Sequence, residues 1–331
     1  MSAALRLVLL VLLAVLGPAP SRAAEPPIPF AATAQERQAY EKAAAYSAEH
    51  GGVALAILRG GRLAFEAYAR GDANTPHQLH SGTKSFWCAA AATAVADGLF
   101  TLDEPVAATI EEWKDDPRKA LVPVRQLLDF TSGLPAGVRQ LRGASGDNFA
   151  KAIALELEHE PGSTFVYGPS HLTVFGAFLK RRLNEDPVAF LERRVFGPIG
   201  LSVASWRRDA AGNPTMAAGA ALTAREWLKF GQYLLDSPDI VARCAQGGAA
   251  NPAYGLTLWL NDQPGLSPRD TRKGKPPARL VPNAPRDMVV AGGAGNQRLY
   301  VLPSHGMVIV RLAGRGAGWK DDAFLKLVLE P

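Results

Sequence analysis

The sequence is poor in the residues from which disulfide frameworks and metal sites are built. Only 2 of its 331 residues are cysteines, Cys88 and Cys244, and neither has neighbours at a zinc-ligand spacing. Two such cysteines can pair in an exported chain, but the apolar, alanine-rich stretch around Cys88 favours a buried free thiol. We therefore expect no metal centre, and the sequence leaves the pairing of the cysteines open.

Long apolar runs are equally scarce, which argues against a membrane-spanning helix. Residues 7–16 form a run of ten apolar residues, whereas a membrane helix needs about 20. Arg6 precedes this run, and the small residues Ser21 and Ala23 stand at the positions that a signal peptidase reads. We predict a cleaved secretory signal over residues 1–23 and one secreted or periplasmic domain over 24–331. An uncleaved anchor is the alternative, and no cysteine lies near the cleavage site to carry a lipid.

The chain also lacks a strong excess of charge of either sign. Its formal net charge is +5, and loss of Arg6 and Arg22 with the signal would leave +3. The basic clusters, such as Arg193 with Arg194 and residues 272–275, are short and have no interleaved aromatic residues. Nucleic-acid recognition normally needs a concentrated basic patch, so we expect none. The predicted partner is a small molecule, bound by a monomer.

The two ends of the chain carry matching patterns of secondary structure. Thr33 can cap a helix over residues 34–49, and two strands follow at 53–58 and 63–68. Near the C-terminus two further strands, 298–302 and 307–312, precede a helix that begins near Asp321. These patterns predict an α/β sandwich in which residues 30–78 and 285–331 form one antiparallel sheet flanked by the terminal helices. Residues 79–250 form a mostly helical middle, and the active site should lie in the cleft between the two parts.

Ser81 and Lys84 are the first candidates for chemistry. A helix is predicted from Ser81 to Asp97, and a spacing of three residues places the lysine on the same face as the serine. If burial lowers the pKa of the lysine, its amine can accept the serine proton. The alternative is that Lys84 extends to solvent along the apolar helix surface.

Two further segments can supply polar groups to the same cleft. Tyr167 precedes a predicted helix in a loop rich in Gly and Pro, and a nearby cationic lysine should lower the pKa of its hydroxyl. Residues 291–296 are rich in glycine at the entrance of the strand that contains Arg298. Such a segment lets a ligand approach the backbone, whose N–H groups can form an oxyanion hole together with that of Ser81. The alternatives are that the Tyr167 ring only anchors its loop and that the glycine-rich segment is a flexible turn.

The rival mechanism, a Ser-His-Asp triad, has little support in the sequence. No serine lies in a G-x-S-x-G motif, and the ring of His80 should project away from the hydroxyl of the adjacent Ser81. We interpret four further histidines as surface or loop residues, namely His77, His159, His171 and His305.

Taken in order, these motifs resemble the serine β-lactamase and penicillin-binding-protein superfamily, and most of all its class C β-lactamase and family VIII esterase branch. The resemblance covers nearly the whole mature chain. It includes Ser81-x-x-Lys84, then Tyr167, then the glycine-rich strand entrance. Three flanking stretches match as well: residues 79–86 (LHSGTKSF), 97–106 (DGLFTLDEPV) and 124–134 (VRQLLDFTSGL).

The resemblance implies a role for each motif. Ser81 is expected to be the nucleophile, Lys84 its activating partner, and Tyr167 a proton shuttle. The N–H groups of Ser81 and Ala294 are expected to bind the oxyanion. No metal or organic cofactor is implied.

Two departures from the family pattern bear on the substrate. Pro169 stands where the second motif, Tyr-x-Asn, has its asparagine, and Ser170 or His171 is a substitute only by conjecture. Ala291, Gly292 and Gly293 replace the Lys-Thr-Gly whose polar groups bind a substrate carboxylate, and they are closer to the Trp-Gly-Gly of the esterases. Arg298, on the same strand, is the candidate replacement for the missing cation.

These observations favour an exported hydrolase that acts on an ester, a small amide or a peptidoglycan-related substrate. Whether it is an esterase, a DD-peptidase or a β-lactamase is left open. A sensor or binding module that keeps the fold but barely turns over is the alternative from another functional class. Whether Lys84 or Tyr167 is the base in acylation is also open, because the two groups would titrate as a coupled pair.

Overall fold

The computed structural model describes residues 32–330, apart from 142, 144 and 266–275. The signal peptide predicted over residues 1–23 and the basic cluster at 272–275 lie outside the described residues. Among the residues that are described, no helix is long and apolar enough to cross a membrane.

A six-stranded antiparallel sheet joins the two ends of the chain, as the sequence predicts. Its strands are β1 (Gly52–Arg59), β2 (Arg62–Tyr68), β6 (Trp259–Leu260), β7 (Val289–Gly293), β8 (Gln297–Leu302) and β9 (Met307–Ala313). They lie in the order β2-β1-β9-β8-β7-β6, so the first hairpin pairs with the last through β1 and β9. The predicted strands are confirmed within two residues at each end.

The terminal helices pack against each other on this sheet. The first, α1 (Ala34–Glu49), begins at Thr33, whose hydroxyl accepts a hydrogen bond from the Glu36 N–H while the Glu36 carboxylate accepts one from the Thr33 N–H. This capping box supplies partners for two backbone donors at the helix start. The last, α9 (Asp321–Leu329), has the two predicted acidic residues in its first turn. A third helix, α7 (Ala224–Leu235), also packs on the sheet, against β1, β8 and β9.

The middle of the chain is mostly helical but also contains a small sheet that the sequence did not predict. Three short strands, β3 (His77–Gln78), β4 (Ser205–Trp206) and β5 (Ala220–Leu222), pair in the order β3-β5-β4. The other helices are α2 (Phe86–Ala96), α3 (Val124–Leu128), α4 (Asn148–Ile153), α5 (Ser170–Leu183), α6 (Pro187–Leu191) and α8 (Pro238–Cys244). Short 3-10 or π-helical turns occupy His80–Ser85, Val106–Ala108, Glu111–Trp113, Lys119–Leu121, Glu192–Phe196, Gly197–Ile199 and Pro303–His305.

The helix predicted over residues 81–97 divides into two parts. Residues His80–Ser85 form a 3-10 turn, and α2 begins only at Phe86. Eight of the eleven residues of α2 are buried, so the helix is apolar all round and lies inside the core. The 3-10 turn therefore projects Ser81 from the end of a fixed helix.

The two cysteines form a disulfide, which corrects the expectation of a buried free thiol at Cys88. Cys88 on α2 and Cys244 at the end of α8 are joined, with their Cα atoms 5.8 Å apart. Both side chains are almost fully buried, with 1% and 0% of their surface exposed. An alanine-rich environment thus buries a disulfide as readily as a thiol, because both are apolar.

We predict that this disulfide contributes substantially to stability. The bond closes a loop with a sequence separation of 156 residues, for which the chain-entropy argument gives about 5 kcal/mol. Urea unfolding of the oxidised protein should show a higher free energy of unfolding than that of the Cys88→Ala/Cys244→Ala variant, and reductant should affect only the former. Two reactive thiols in the denatured, unreduced protein would contradict the assignment.

Candidate active site

Ser81 and Lys84 lie together at the start of the buried helix. The Lys84 Nζ is 3.1 Å from the Ser81 Oγ, because a 3-10 turn repeats every three residues and places both side chains on one side. Ser81 is partly exposed, whereas Lys84 is 4% exposed. The alternative in which the lysine extends to solvent is therefore wrong.

The environment of Lys84 favours a neutral amine. Its other hydrogen bond goes to the Ala217 carbonyl oxygen, at 2.9 Å. Burial lowers the pKa of Lys84 to about 7, and no carboxylate among the described residues offsets that effect. Near neutral pH a large fraction of the amine therefore has a free lone pair beside the Ser81 hydroxyl.

The residue before Ser81 has an unusual backbone conformation. His80 has a φ of 49°, in the left-handed region that non-glycine residues rarely adopt. Strained backbone of this kind persists only where the surrounding structure fixes it, and it is concentrated at functional sites. Here it directs the chain from Leu79, which is completely buried, to the partly exposed Ser81.

Tyr167 approaches the same pair from the other side. The Lys84 Nζ lies 5.0 Å from the centroid of its ring, and the Ser81 hydroxyl is near enough to the phenol group to affect its pKa. The expectation that the lysine lowers the pKa of the tyrosine is wrong. Burial raises the pKa of Tyr167 to about 12, and the opposing effects of Ser81 and Arg298 are smaller. Tyr167 thus stays protonated near neutral pH and can donate a hydrogen bond.

The glycine-rich segment reaches the backbone beside Ser81. β7 ends at Gly293, and a Cβ at that position would collide with the carbonyl oxygen of Leu79, two residues before Ser81. This glycine therefore permits contact between two parts of the chain. At Gly292, by contrast, no atom lies closer than 3.6 Å to a Cβ, the nearest being the Arg298 Nη1. Ala294 is exposed in the turn that follows.

A model of the β-lactamase family matches residues 30–327, nearly the whole chain. The chain belongs to the β-lactamase family. A search of curated proteins found no match. This membership supports a hydrolase-type function and agrees with the motif order of the sequence.

Several solved structures of hydrolases have the same fold. EstCE1, described as a hydrolase with promiscuous acyltransferase activity, superposes with a TM-score of 0.70 at 16% identity over 89% of this chain and 98% of that one. A β-lactamase/D-alanine carboxypeptidase from Pseudomonas syringae gives 0.66 at 16% identity, over 90% and 99%. A β-lactamase from Mycobacterium bovis gives 0.63 at 19% identity, over 88% and 97%. At such identities the likeness shows the fold alone.

Neither of the two residues after Pro169 takes the place of the asparagine in the family's second motif, because both are buried and already hydrogen-bonded elsewhere. Ser170 is completely buried, and its hydroxyl donates a hydrogen bond to the Pro135 carbonyl. His171 is also completely buried, which corrects its interpretation as a surface or loop histidine. Both of its ring nitrogens are already bonded, Nδ1 to the Ser132 Oγ and Nε2 to the Val166 carbonyl, each at 2.8 Å.

These contacts fix the tautomer of His171. A carbonyl can only accept, so Nε2 carries the proton and Nδ1 accepts the hydrogen bond from the Ser132 hydroxyl. Burial, aided by the charge of Lys84, lowers the pKa of His171 to about 3, and the ring is neutral. The sequence contained one signal of this partner, because Ser132 lies in the family-like stretch 124–134.

Arg298 does not present a free cation to the cleft. Its Nε and Nη2 donate to the two carboxylate oxygens of Asp321 at 2.6 and 3.2 Å, and its Nη1 donates to the Gln297 carbonyl. Tyr300 also donates to Asp321. The guanidinium is therefore balanced by a carboxylate from α9. The sequence correctly places Arg298 on the strand that follows the glycine-rich segment, but it does not reveal that Asp321 is the partner of the guanidinium.

An aromatic wall that the sequence analysis missed surrounds Tyr167. Trp259 on β6 stacks on Tyr167 at 5.7 Å between ring centroids and an interplanar angle of 28°, and Phe130 lies at 5.5 Å. Phe165 and Tyr254 complete the wall, at 6.4 and 6.0 Å. These rings come from three separate segments, at residues 130, 165–167 and 254–259, so no single local pattern groups them. They limit the freedom of Tyr167 and exclude water from one side of the site.

We predict a pH profile controlled by Lys84. Only the neutral amine can accept the Ser81 proton, so the rate of acylation should rise with pH through about 7 and level off above it. Single-turnover kinetics with a p-nitrophenyl ester measures this rate. The Lys84→Arg variant, whose guanidinium stays protonated, should lose about 100-fold or more of the rate.

Lys119→Arg is the matched control for this prediction. Lys119 is also buried, at 6% exposure, but it faces Asp116 and Glu156 instead of Ser81. This variant should keep both the rate and the pH profile of the wild type. A wild-type rate independent of pH between about 6 and 8 would contradict the role of Lys84.

Proposed function

We propose that this protein is an exported serine hydrolase that cleaves esters or small amides through an acyl-enzyme on Ser81. The observation that carries the proposal is the 3.1 Å approach of the Lys84 amine, with a pKa lowered to about 7, to the Ser81 hydroxyl. A partly exposed hydroxyl paired with a neutral base is the arrangement that nucleophilic catalysis requires.

Acylation follows from this geometry. Lys84 accepts the Ser81 proton while the Ser81 oxygen attacks the substrate carbonyl carbon, and the backbone N–H groups of Ser81 and Ala294 bind the resulting oxyanion. The tetrahedral intermediate collapses by breaking the bond to the alcohol or amine. That leaving group takes a proton from Tyr167, which Lys84 then reprotonates, so the acyl-enzyme forms with no net change of protons.

Deacylation reverses the proton path. A water molecule attacks the acyl carbonyl and gives its proton to the Tyr167–Lys84 pair, and the Ser81 oxygen leaves and recovers a proton from Lys84. The high pKa of Tyr167 suits it to transient transfer, because a stored phenolate would be unstable in its buried position. Lys84 holds the transferred proton within each half-reaction, from the attack of the nucleophile until the leaving group is protonated, and it is neutral again in the acyl-enzyme.

The absence of a free cation on β7 and β8 favours neutral substrates. Ala291, Gly292 and Gly293 offer only backbone groups, and Arg298 is paired with Asp321. A charged hydrogen bond to a substrate carboxylate is worth about 1.5–3 kcal/mol, and that contribution is missing here.

Export is part of the proposal. The predicted signal over residues 1–23 would direct the chain out of the cytoplasm, and the Cys88–Cys244 disulfide supports an oxidising destination such as the periplasm. A monomer that acts on small-molecule or peptidoglycan-related substrates, without a cofactor or nucleic acid, fits this location.

Covalent labelling tests the nucleophile. Wild-type protein treated with a fluorophosphonate should gain one adduct at Ser81, whereas Ser81→Ala should gain none. Ser85→Ala is the control, because Ser85 lies on the same 3-10 turn but is buried and donates its hydroxyl to the Gly82 carbonyl. If folded wild-type protein gains no label, the proposal is overturned. The result would instead favour a non-catalytic sensor or binding module, which the departures from the family motifs at Pro169 and Ala291 also allow.

We further predict that a carboxylate on the substrate has little effect on the rate of acylation of Ser81. A penicillin and its methyl ester should acylate Ser81 at rates within about threefold of each other, because neither β7 nor β8 offers the carboxylate a free cation. Intact-protein mass spectrometry against time measures both rates. Acylation by the free acid at least about tenfold faster, equivalent to about 1.4 kcal/mol, would instead indicate a β-lactamase or DD-peptidase site.

A further inference from the structure

The turn between β7 and β8 has a demanding backbone conformation. Gly295 and Asn296, at its tip, have φ values of 76° and 63°. Two consecutive positive φ angles are what a type I′ hairpin turn requires, and glycine and asparagine tolerate them best. Ala294 precedes this tip and is exposed. The position of its N–H, the second oxyanion donor in the proposed reaction, therefore depends on how this turn is held.

Gln297 ties the turn to the end of β9. Its side chain is 2% exposed. The Nε2 donates to the carbonyl oxygens of Ala294 and Ala313, the former at 3.4 Å, and the Oε1 accepts from the Ala313 N–H at 2.8 Å. One carboxamide thus bonds to both backbone groups of Ala313 and reaches the carbonyl of Ala294, whose N–H is the second oxyanion donor in the proposed reaction.

Arg311 holds the other side of the tip from inside the protein. It is completely buried, and its Nη1 donates to the Asn296 carbonyl at 2.8 Å. Its remaining bonds reach the Ser47 hydroxyl and the carbonyls of Ser47 and His50 at the end of α1, and its guanidinium carbon lies 3.8 Å from the centroid of the Trp319 ring.

The buried charge of Arg311 is costly, which argues for a specific role. Burial lowers the pKa of Arg311 to about 10, although the group stays charged near neutral pH. None of its hydrogen-bond acceptors is a carboxylate, and the nearby Asp321 is bonded to Arg298 and Tyr300 instead. A buried cation that depends on neutral acceptors is expensive compared with an apolar residue of similar size.

We propose that Gln297 and Arg311 are positioning residues that hold the Ala294 amide at the oxyanion site beside Ser81. Neither side chain contacts the substrate in this account. On the opposite side, the contact of Gly293 with Leu79 fixes the end of β7 against the chain that leads to Ser81. The turn is thus held at its base by Leu79 and at its tip by Arg311 and Gln297. This inference rests on the proposed function, since it assigns a role within the same reaction.

The loss of rate expected when the Ala294 amide is displaced can be estimated from other enzymes. Loss of one oxyanion donor typically lowers kcat by about 100- to 1000-fold, and a misplacement of about 1 Å in a catalytic site can lower a rate about 100-fold. Gln297→Met removes three hydrogen bonds, and Arg311→Lys keeps a charge but loses the forked geometry. Because the Ser81 N–H remains in both variants, we expect a loss of about 10- to 100-fold in the rate of acylation.

The test compares an oxygen ester with its thionoester, in which sulfur replaces the carbonyl oxygen. Sulfur is a weaker hydrogen-bond acceptor, so a defect in the oxyanion site affects the oxygen ester more. Single-turnover acylation and KM are measured for wild type, Gln297→Met, Arg311→Lys and Tyr300→Phe. Tyr300→Phe is the matched control, because Tyr300 lies in the same buried layer and bonds to Asp321 but has no hydrogen bond to the turn.

The expected result is a 10- to 100-fold slower acylation by the oxygen ester in both test variants, a KM within about twofold of wild type, and a smaller loss with the thionoester. Tyr300→Phe should match wild type for both esters. Equal losses with both esters, or wild-type rates, would overturn the proposal. If Arg311→Lys does not fold, the Gln297→Met variant alone decides between these outcomes. Fluorophosphonate labelling of wild-type Ser81 is measured separately. Absence of label on the wild type would show that the proposed function itself has failed.

Discussion

The burial of one amine next to one hydroxyl is the constraint on which the account of this protein depends. The Lys84 side chain is 4% exposed, and its two hydrogen-bond partners, the Ser81 hydroxyl and the Ala217 carbonyl, are both neutral. An ammonium in such a place loses its hydration without gaining a counter-ion, so the neutral form is favoured. The same burial that lowers the pKa of Lys84 raises that of Tyr167. Burial of this site thus favours a neutral amine and a protonated phenol.

The rest of the fold can be understood as support for that site. The apolar helix α2 fixes the 3-10 turn that contains Ser81 and Lys84, and the disulfide from Cys88 ties this helix to α8. The sheet assembled from both chain ends brings the end of β7 against Leu79, so strands distant in sequence from Ser81 reach its backbone. Arg298 with Asp321, and Arg311 with the end of α1, connect the same strands to the terminal helices.

The sequence predicts what depends on local pattern and misses what depends on long-range contact. The spacing of Ser81 and Lys84, the Thr33 cap and both terminal hairpins are readable from neighbouring residues, and the structure contains all of them. The pairing of Arg298 with Asp321 and the aromatic wall around Tyr167 each join distant segments. Nothing in a single sequence indicates such partners. The predicted lowering of the pKa of Tyr167 is wrong because it considers a nearby positive charge and leaves out the larger effect of burial.

A direct titration of the Lys84 amine tests the central claim. Protein labelled with nitrogen-15 in its lysine side chains can be followed by NMR against pH, with the Lys84→Arg variant identifying the signal. The account predicts that one lysine titrates near pH 7 and that this signal is absent in the variant. If every lysine instead titrates near the ordinary value of about 10.4, Lys84 is charged at neutral pH and cannot be the base that activates Ser81.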